Sequence, residues 1–198
     1  SLAQIGSPAA DSAAPALLRV LPTTDEADRA PVVWALAILH QQEAADAIIQ
    51  EFANGTLQAQ PGWDPRIVQQ AIGVERLSAP ELTDHESVGV RTLVAQSLSE
   101  AATPDVIDPL SHMIAHEREL EAADSDDSHR EGHDGVIRAC VAGLGRVGDA
   151  RAAGPLFSLM TSNPTMHHAV VEALGNSTGA RGLAVLLAQA TDDASRAD

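Results

Sequence analysis

Residues 138–160, "RACVAGLGRVGDARAAGPLFSLM", place two segments with helical apolar spacing on either side of a short turn. Gly145 and Gly148 can adopt positive φ at the end of the first helix, and Asp149 can cap the second. The glycines also fit the spacing of a dinucleotide-binding loop. Such a loop follows a β-strand, however, whereas a helix precedes Gly145. The stretch therefore predicts a helical hairpin.

The same hairpin recurs along the chain. A shift of 30 residues aligns Leu144 with Leu174 and gives a second copy, "HAVVEALGNSTGARGLAVLLAQA", at 168–190. A shift of 46 residues in the other direction gives a third copy, "VRTLVAQSLSEAATPDVIDPLSHMIAH", at 90–116. Helix pairs of this kind bury their apolar faces by stacking on one another. The repeat therefore predicts a stack of helix pairs.

The pattern is weaker upstream. We expect a helix around 14–21, a helix with Pro31 in its first turn, and a second helix that ends near Gly55. Asp64 with Pro65 starts a further helix through Ile72, followed by a short, irregular partner. The expected core residues of this region are Trp34, Leu36, Ile38, Ile48, Ile49 and Phe52.

Composition supports an all-helical, globular protein. Apolar residues make up 44%, mostly with short side chains, and there is no Tyr. The formal charge of −16 disfavours binding to nucleic acid or to anionic membranes. The single cysteine, Cys140, excludes an internal disulfide and is expected in the core. No apolar run is long enough to span a bilayer, so we expect a cytoplasmic protein without membrane insertion.

The three copies resemble the HEAT-like repeat family, in the short bacterial form related to phycobilisome lyase repeats. The matching stretches are "VIRACVAGLGRVGDARAAGPLFSLM", "MHHAVVEALGNSTGARGLAVLLAQ" and "GVRTLVAQSLSEAATPDVIDPLSHMI". The resemblance implies an α-solenoid of about five antiparallel helix pairs, with irregular N-terminal pairs. It also implies that the second helices line a concave face, and the residues there would come from 43–53, 104–121, 150–161 and 179–190.

These expectations divide the chain into three parts. Residues 1–29 form a linker plus capping helix, 30–190 form the solenoid, and 191–198 form a flexible tail. The solenoid carries an acidic insertion at about 117–135, which we expect to be a mobile loop because it is highly charged. Because the chain begins with Ser1, we expect it to be a segment of a larger protein.

Several residues have the chemistry of a catalytic or metal site but lack the complete pattern. His112 and His116 are four apart on one helix and are weak metal candidates, since no third ligand is in register. The His85-Glu86 and His116-Glu117 pairs fall outside the register of the iron-binding HEAT-like hydroxylases. The acidic residues of the insertion lack the glycine that a calcium loop requires. We therefore expect no catalytic residues and no cofactor.

The leading hypothesis is a non-catalytic scaffold or adaptor that binds a protein partner through the concave face. The partner is expected to carry a basic segment, because complementary charges steer association. The candidate partner-binding residues are Asp105, Asp108, His112, Arg151, Phe157, Ser158 and Leu187. One alternative is a lyase-type chaperone or an enzyme acting on a small molecule, and another is a structural spacer or oligomerisation module.

Overall fold

Helices form all the regular secondary structure that the structure describes. The structure is a computed structural model, and it describes residues 13–39, 42–55, 64–123 and 129–177. These residues include no β-strand, so the all-α prediction is confirmed for them. The chain divides into two compact units, one ending at Ala101 and the other beginning at Ala102.

The first unit is built from short helices. They are α1 (Ala14–Val20), α2 (Glu26–Ile38), α3 (Gln42–Ala53), α4 (Pro65–Ile72), α5 (Val74–Leu77), α6 (Pro80–Thr83) and α7 (Val88–Ala101). Helix α4 packs against α2, α3 and α7, so it lies at the centre of the unit. Of the expected core residues, Leu36, Ile48 and Phe52 are fully buried. Trp34, Ile38 and Ile49 are half-buried at the margin of this core.

A local sequence signal sets the start of α4. Asp64 caps α4 by accepting the backbone N–H of Arg66 at 3.0 Å, as its position before Pro65 predicts. The prediction for Pro31 was wrong, because α2 begins at Glu26 and Pro31 lies inside the helix. Proline lacks the N–H that would bond one turn back, so the helix continues with one hydrogen bond fewer.

The second unit contains residues 138–160, for which the sequence predicts a helical hairpin. Its elements are a 3₁₀ turn (Pro104–Val106), α8 (Ile107–Ala123), α9 (Arg130–Val147), a 3₁₀ turn (Ala150–Ala152), α10 (Ala153–Ser162), a 3₁₀ turn (Pro164–Met166) and α11 over 167–177. Helices α8 and α9 form the most extensive pair in the described residues. The expected apolar stripe of Ile137, Val141 and Leu144 is buried.

The repeat with an offset of 46 residues is visible in the backbone. Helices α7 and α9 end 46 residues apart, at Ala101 and Val147. The next residues, Ala102 and Gly148, both adopt left-handed conformations, with φ of 49° and 68°. Each is followed by a 3₁₀ turn and a helix in the same register. The turn geometry is therefore kept at Ala102, although a left-handed alanine costs roughly 1–2 kcal/mol.

Gly145 has a different role from the one that the sequence predicts. It lies inside α9, and the left-handed position belongs to Gly148 alone. A Cβ atom placed on Gly145 would lie 2.8 Å from the Cα and 2.9 Å from the Cβ of Ala173 on α11. Gly145 therefore allows α9 and α11 to approach closely.

The acidic insertion is largely helical, so the prediction of a mobile loop at 117–135 was wrong for its described residues. Helix α8 continues to Ala123, and α9 begins at Arg130. Glu117 is 0% exposed, and its Oε2 lies 2.6 Å from Nδ1 of His133, which is 8% exposed. The insertion lengthens two packed helices and places a buried polar pair between them. Asp124, Asp126 and Asp127, the calcium candidates, lie outside the described residues.

Candidate functional site

An acidic cluster marks the start of the two second helices in the second unit. Asp105 lies in the 3₁₀ turn before α8, and Asp108 lies in the first turn of α8. Both side chains are exposed. Carboxylates are favoured at these positions, since the unpaired N–H groups at a helix start carry partial positive charge. The helix starts thus present two carboxylates to solvent.

Arg151 joins these two residues from the equivalent turn before α10. Its Nη2 lies 3.0 Å from Oδ2 of Asp149, and its backbone N–H donates to Oδ1 of Asp149 at 2.9 Å. The side-chain hydrogen bond, together with the backbone one, holds the pKa of Asp149 below its usual range. The hydrogen bond with Asp149 raises the pKa of Arg151, and the charges of Asp108 and Asp105 raise it further.

The charges of three carboxylates therefore act on one guanidinium at this end of the helices, which leaves two net negative charges. We call Asp105, Asp108, Asp149 and Arg151 the acidic cluster. Asp149 is already held by Arg151, so Asp105 and Asp108 supply the negative charge available to a ligand. The sequence predicted Asp149 as a helix cap, and this prediction is confirmed.

A groove lies at the other end of the same two helices. Its walls are Arg118, Glu121 and Ala122 near the end of α8, Arg130 at the start of α9, and the segment 162–165, which begins at the last residue of α10. It has a volume of about 440 Å³. Charges at the start of α8 act on Arg151 before α10, and residues at the ends of both helices line this groove, which indicates that the two helices run in the same direction.

The remaining predicted partner-binding residues lie along this pair of helices or beyond it. His112 and Ser158 are exposed, and Phe157 is half-buried. Leu187 lies outside the described residues. The sequence did not predict the groove. Its only sign in the sequence is Arg118, which lies about two helical turns after His112 in the segment that was expected to be a loop.

His112 and His116 stack on one another. Their ring centroids are 6.3 Å apart and the rings are inclined by 14°. Within the described residues, no group of three or more His, Cys, Asp or Glu side chains is placed to hold a metal ion. The spacing of four residues thus brings the two rings together, as the sequence indicates. In the part of the chain that the structure describes, no third ligand lies beside them.

The two His-Glu pairs contribute to folding contacts. His85 Nδ1 accepts the backbone N–H of Ser87 at 3.0 Å, and its Nε2 lies 3.2 Å from the carbonyl oxygen of Ala53. The imidazole therefore links the end of α3 to the segment before α7, with Nε2 as the donor. Glu117 of the other pair is the buried partner of His133.

Cys140 lies on α9 and is buried in the hydrophobic core, as expected. Burial raises the pKa of its thiol far above the usual value, and the charge of Glu117 adds to this effect. A thiol in this environment remains protonated at neutral pH and is a poor nucleophile.

Comparisons with known proteins give no relative for this chain. No protein-family model, curated protein or solved structure matches it. Among the helices of the described residues, none combines the length and the apolar character needed to cross a bilayer.

Proposed function

We propose that this chain is a non-catalytic α-solenoid module of the HEAT-like type that binds a protein partner with a basic segment. The observation that carries the proposal is the exposed pair Asp105 and Asp108 at the start of α8, whose charges act on Arg151 in the turn before α10. The repeated positions, by contrast, serve folding: Gly148 allows the turn, and Asp149 caps the helix. In a scaffold, the repeated positions build the fold and exposed charged side chains bind the partner, and this chain has both features.

Charge supports a basic partner. The chain carries a formal charge of −16, and fields of this kind raise the association rate of cationic ligands. The acidic cluster concentrates part of that charge at one place. A partner's arginine or lysine would pair there with Asp105 and Asp108, while Arg151 stays with Asp149.

The side chains with catalytic chemistry also support a non-catalytic role. The Cys140 thiol is buried, and the His85 imidazole bonds two backbone groups. His133 is buried against Glu117. These groups hold the fold together, so the proposal assigns the surface of the second helices, rather than a reactive side chain, as the functional part of the unit.

A peptide-binding measurement tests the proposal. The probe is the fluorescein-labelled peptide Arg-Arg-Gly-Ser-Gly-Gln-Gln, titrated with the intact chain at low ionic strength and followed by anisotropy. Removing both charges in the double variant Asp105→Asn with Asp108→Asn should weaken binding about 5-fold, since two exposed ion pairs contribute about 1 kcal/mol together.

The matched control is the double variant Asp28→Asn with Glu131→Gln, which removes two exposed charges elsewhere on the chain. It should change the dissociation constant less than 2-fold, because these two charges act on the peptide only through long-range attraction, which salt screens. An equal loss in both double variants would show that net charge alone attracts the peptide, and it would reject the acidic cluster as the binding site.

A further inference from the structure

The groove at the far end of α8 carries positive charge in a strongly acidic protein. Arg118 and Arg130 both line it, together with one carboxylate, Glu121. Nε of Arg130 lies 3.4 Å from Oε1 of Glu121, so one guanidinium is already balanced. Arg118 is half-buried and forms no ion pair with any side chain in the described ranges. Among the described residues that line the groove, Arg118 therefore carries the positive charge that no carboxylate balances.

An arginine is well suited to bind a carboxylate in such a groove. Its planar guanidinium donates two parallel N–H bonds to the two carboxylate oxygens. A half-buried setting also screens the interaction less than open solvent does. A ligand carboxylate would thus supply Arg118 with the anionic partner that the described part of the chain does not.

The groove and the acidic cluster lie at opposite ends of α8. Ten residues separate Asp108 from Arg118 on α8, which corresponds to roughly 15 Å along the helix axis. The exposed side chains between them include His112 and Ala115 on α8 and Gly154 and Ser158 on α10. An extended peptide advances about 3.3 Å per residue, so four or five residues span this distance.

We propose that the groove is a carboxylate-binding subsite on the face that binds the partner, and that the recognised segment is dipolar. A basic residue of the segment pairs with Asp105 and Asp108, and an acidic side chain or the terminal carboxylate four or five residues away pairs with Arg118. This inference rests on the proposed function, because it takes the acidic cluster as the site of the basic residue. The acidic cluster at one end and Arg118 at the other complement a peptide segment that carries a basic residue and a carboxylate, so we take such a segment as the occupant.

Four labelled peptides of equal length test the inference by anisotropy with the intact chain. All four carry a C-terminal amide, so that only side chains supply carboxylates: Arg-Arg-Gly-Ser-Gly-Glu-Glu, its reverse Glu-Glu-Gly-Ser-Gly-Arg-Arg, the basic-only form ending in Gln-Gln, and an acidic-only form beginning with Gln-Gln. One of the two dipolar peptides should bind at least about 5-fold more tightly than the basic-only peptide, an advantage of the size expected for one part-buried ion pair.

The variant Arg118→Gln should abolish that advantage and leave the affinity for the basic-only peptide unchanged. Arg138→Gln, which alters an exposed arginine of α9, is the matched control and should preserve the advantage. Circular dichroism of each variant verifies folding, and Arg118→Lys provides a second variant that keeps the charge but loses the paired N–H geometry.

The outcomes separate the two proposals. If both dipolar peptides bind no better than the basic-only peptide, or if Arg118→Gln keeps the advantage, the carboxylate subsite is wrong while the proposed function stands. If the basic-only peptide binds independently of Asp105 and Asp108, the proposed function itself is wrong. If the acidic-only peptide binds as tightly as the dipolar one, the groove is a separate anion site and the dipolar segment is rejected.

Discussion

Replacing Gly145 by alanine gives the sharpest test of how α9 and α11 pack. The added Cβ would meet the Cα of Ala173 at 2.8 Å and its Cβ at 2.9 Å, whereas carbon atoms in ordinary contact lie about 3.5–4.0 Å apart. Because one of these atoms belongs to the backbone, no side-chain rotation relieves the overlap. The two helices must move apart.

The expected size of the effect follows from two opposing contributions. Overpacking costs about 1–3 kcal/mol, and the backbone contact places this site at the upper end. An alanine in a helix gains about 1 kcal/mol over glycine. The net result should be a loss of about 2 kcal/mol in the free energy of unfolding, which lowers Tm by about 4–8 °C in a chain of this length.

Gly175→Ala is the matched control. Gly175 occupies the equivalent repeat position 30 residues later, it is exposed, and a Cβ there would meet no atom of the described residues within 4 Å. This variant should gain up to about 1 kcal/mol from helix propensity. Urea unfolding followed by circular dichroism measures both variants. Equal or greater stability of Gly145→Ala than of the parent chain would refute the close approach of α9 and α11.

Three further predictions concern the turn, the buried pair and the capped helix. Ala102→Gly should raise the free energy of unfolding by about 0.5–1 kcal/mol in urea titrations, because glycine removes the strain of the left-handed φ; a loss would contradict the backbone geometry of that turn. Glu117→Leu should cost about 3 kcal/mol by leaving His133 buried without its acceptor, and adding His133→Leu should recover part of that loss; unfolding curves without any recovery would argue against the pair. Arg151→Gln should raise the pKa of Asp149 toward its ordinary value of 3.8 in a carboxyl NMR titration. Since the folded-state pKa is lowered, the stability contributed by this contact is present above the ordinary value and is lost as pH falls below it; an unchanged titration would reject the contact.

The sequence allowed the helices and their register to be predicted because these depend on local patterns. Apolar spacing identifies the buried stripe of α9, and the order of glycine and aspartate identifies the turn after it. The offset of 46 residues recurs in the helix ends. These features depend on residues within a few helical turns of one another, so they can be predicted from a single sequence.

The features that the sequence missed depend on contacts between distant residues. Gly145 was assigned to the turn because its neighbour in space, Ala173, is 28 residues away. Glu117 and His133 are 16 residues apart in a segment whose composition resembles a loop, and their pairing stabilises the longer helices. The position of Arg118 in a groove likewise depends on the path of α10. Sequence periodicity shows which face of a helix is apolar, but it does not give the distance between two helices.

The burial of Cys140 has a practical consequence for studying the chain. It is the only cysteine in the sequence, and its protonated, enclosed thiol should react slowly with alkylating reagents while α9 stays packed. The folded protein therefore offers a low chemical background, and a cysteine introduced at an exposed position such as Ser158 can be labelled selectively with a fluorophore or spin label. The same thiol reports on opening of the core, since its rate of modification measures how often α9 separates from its neighbours.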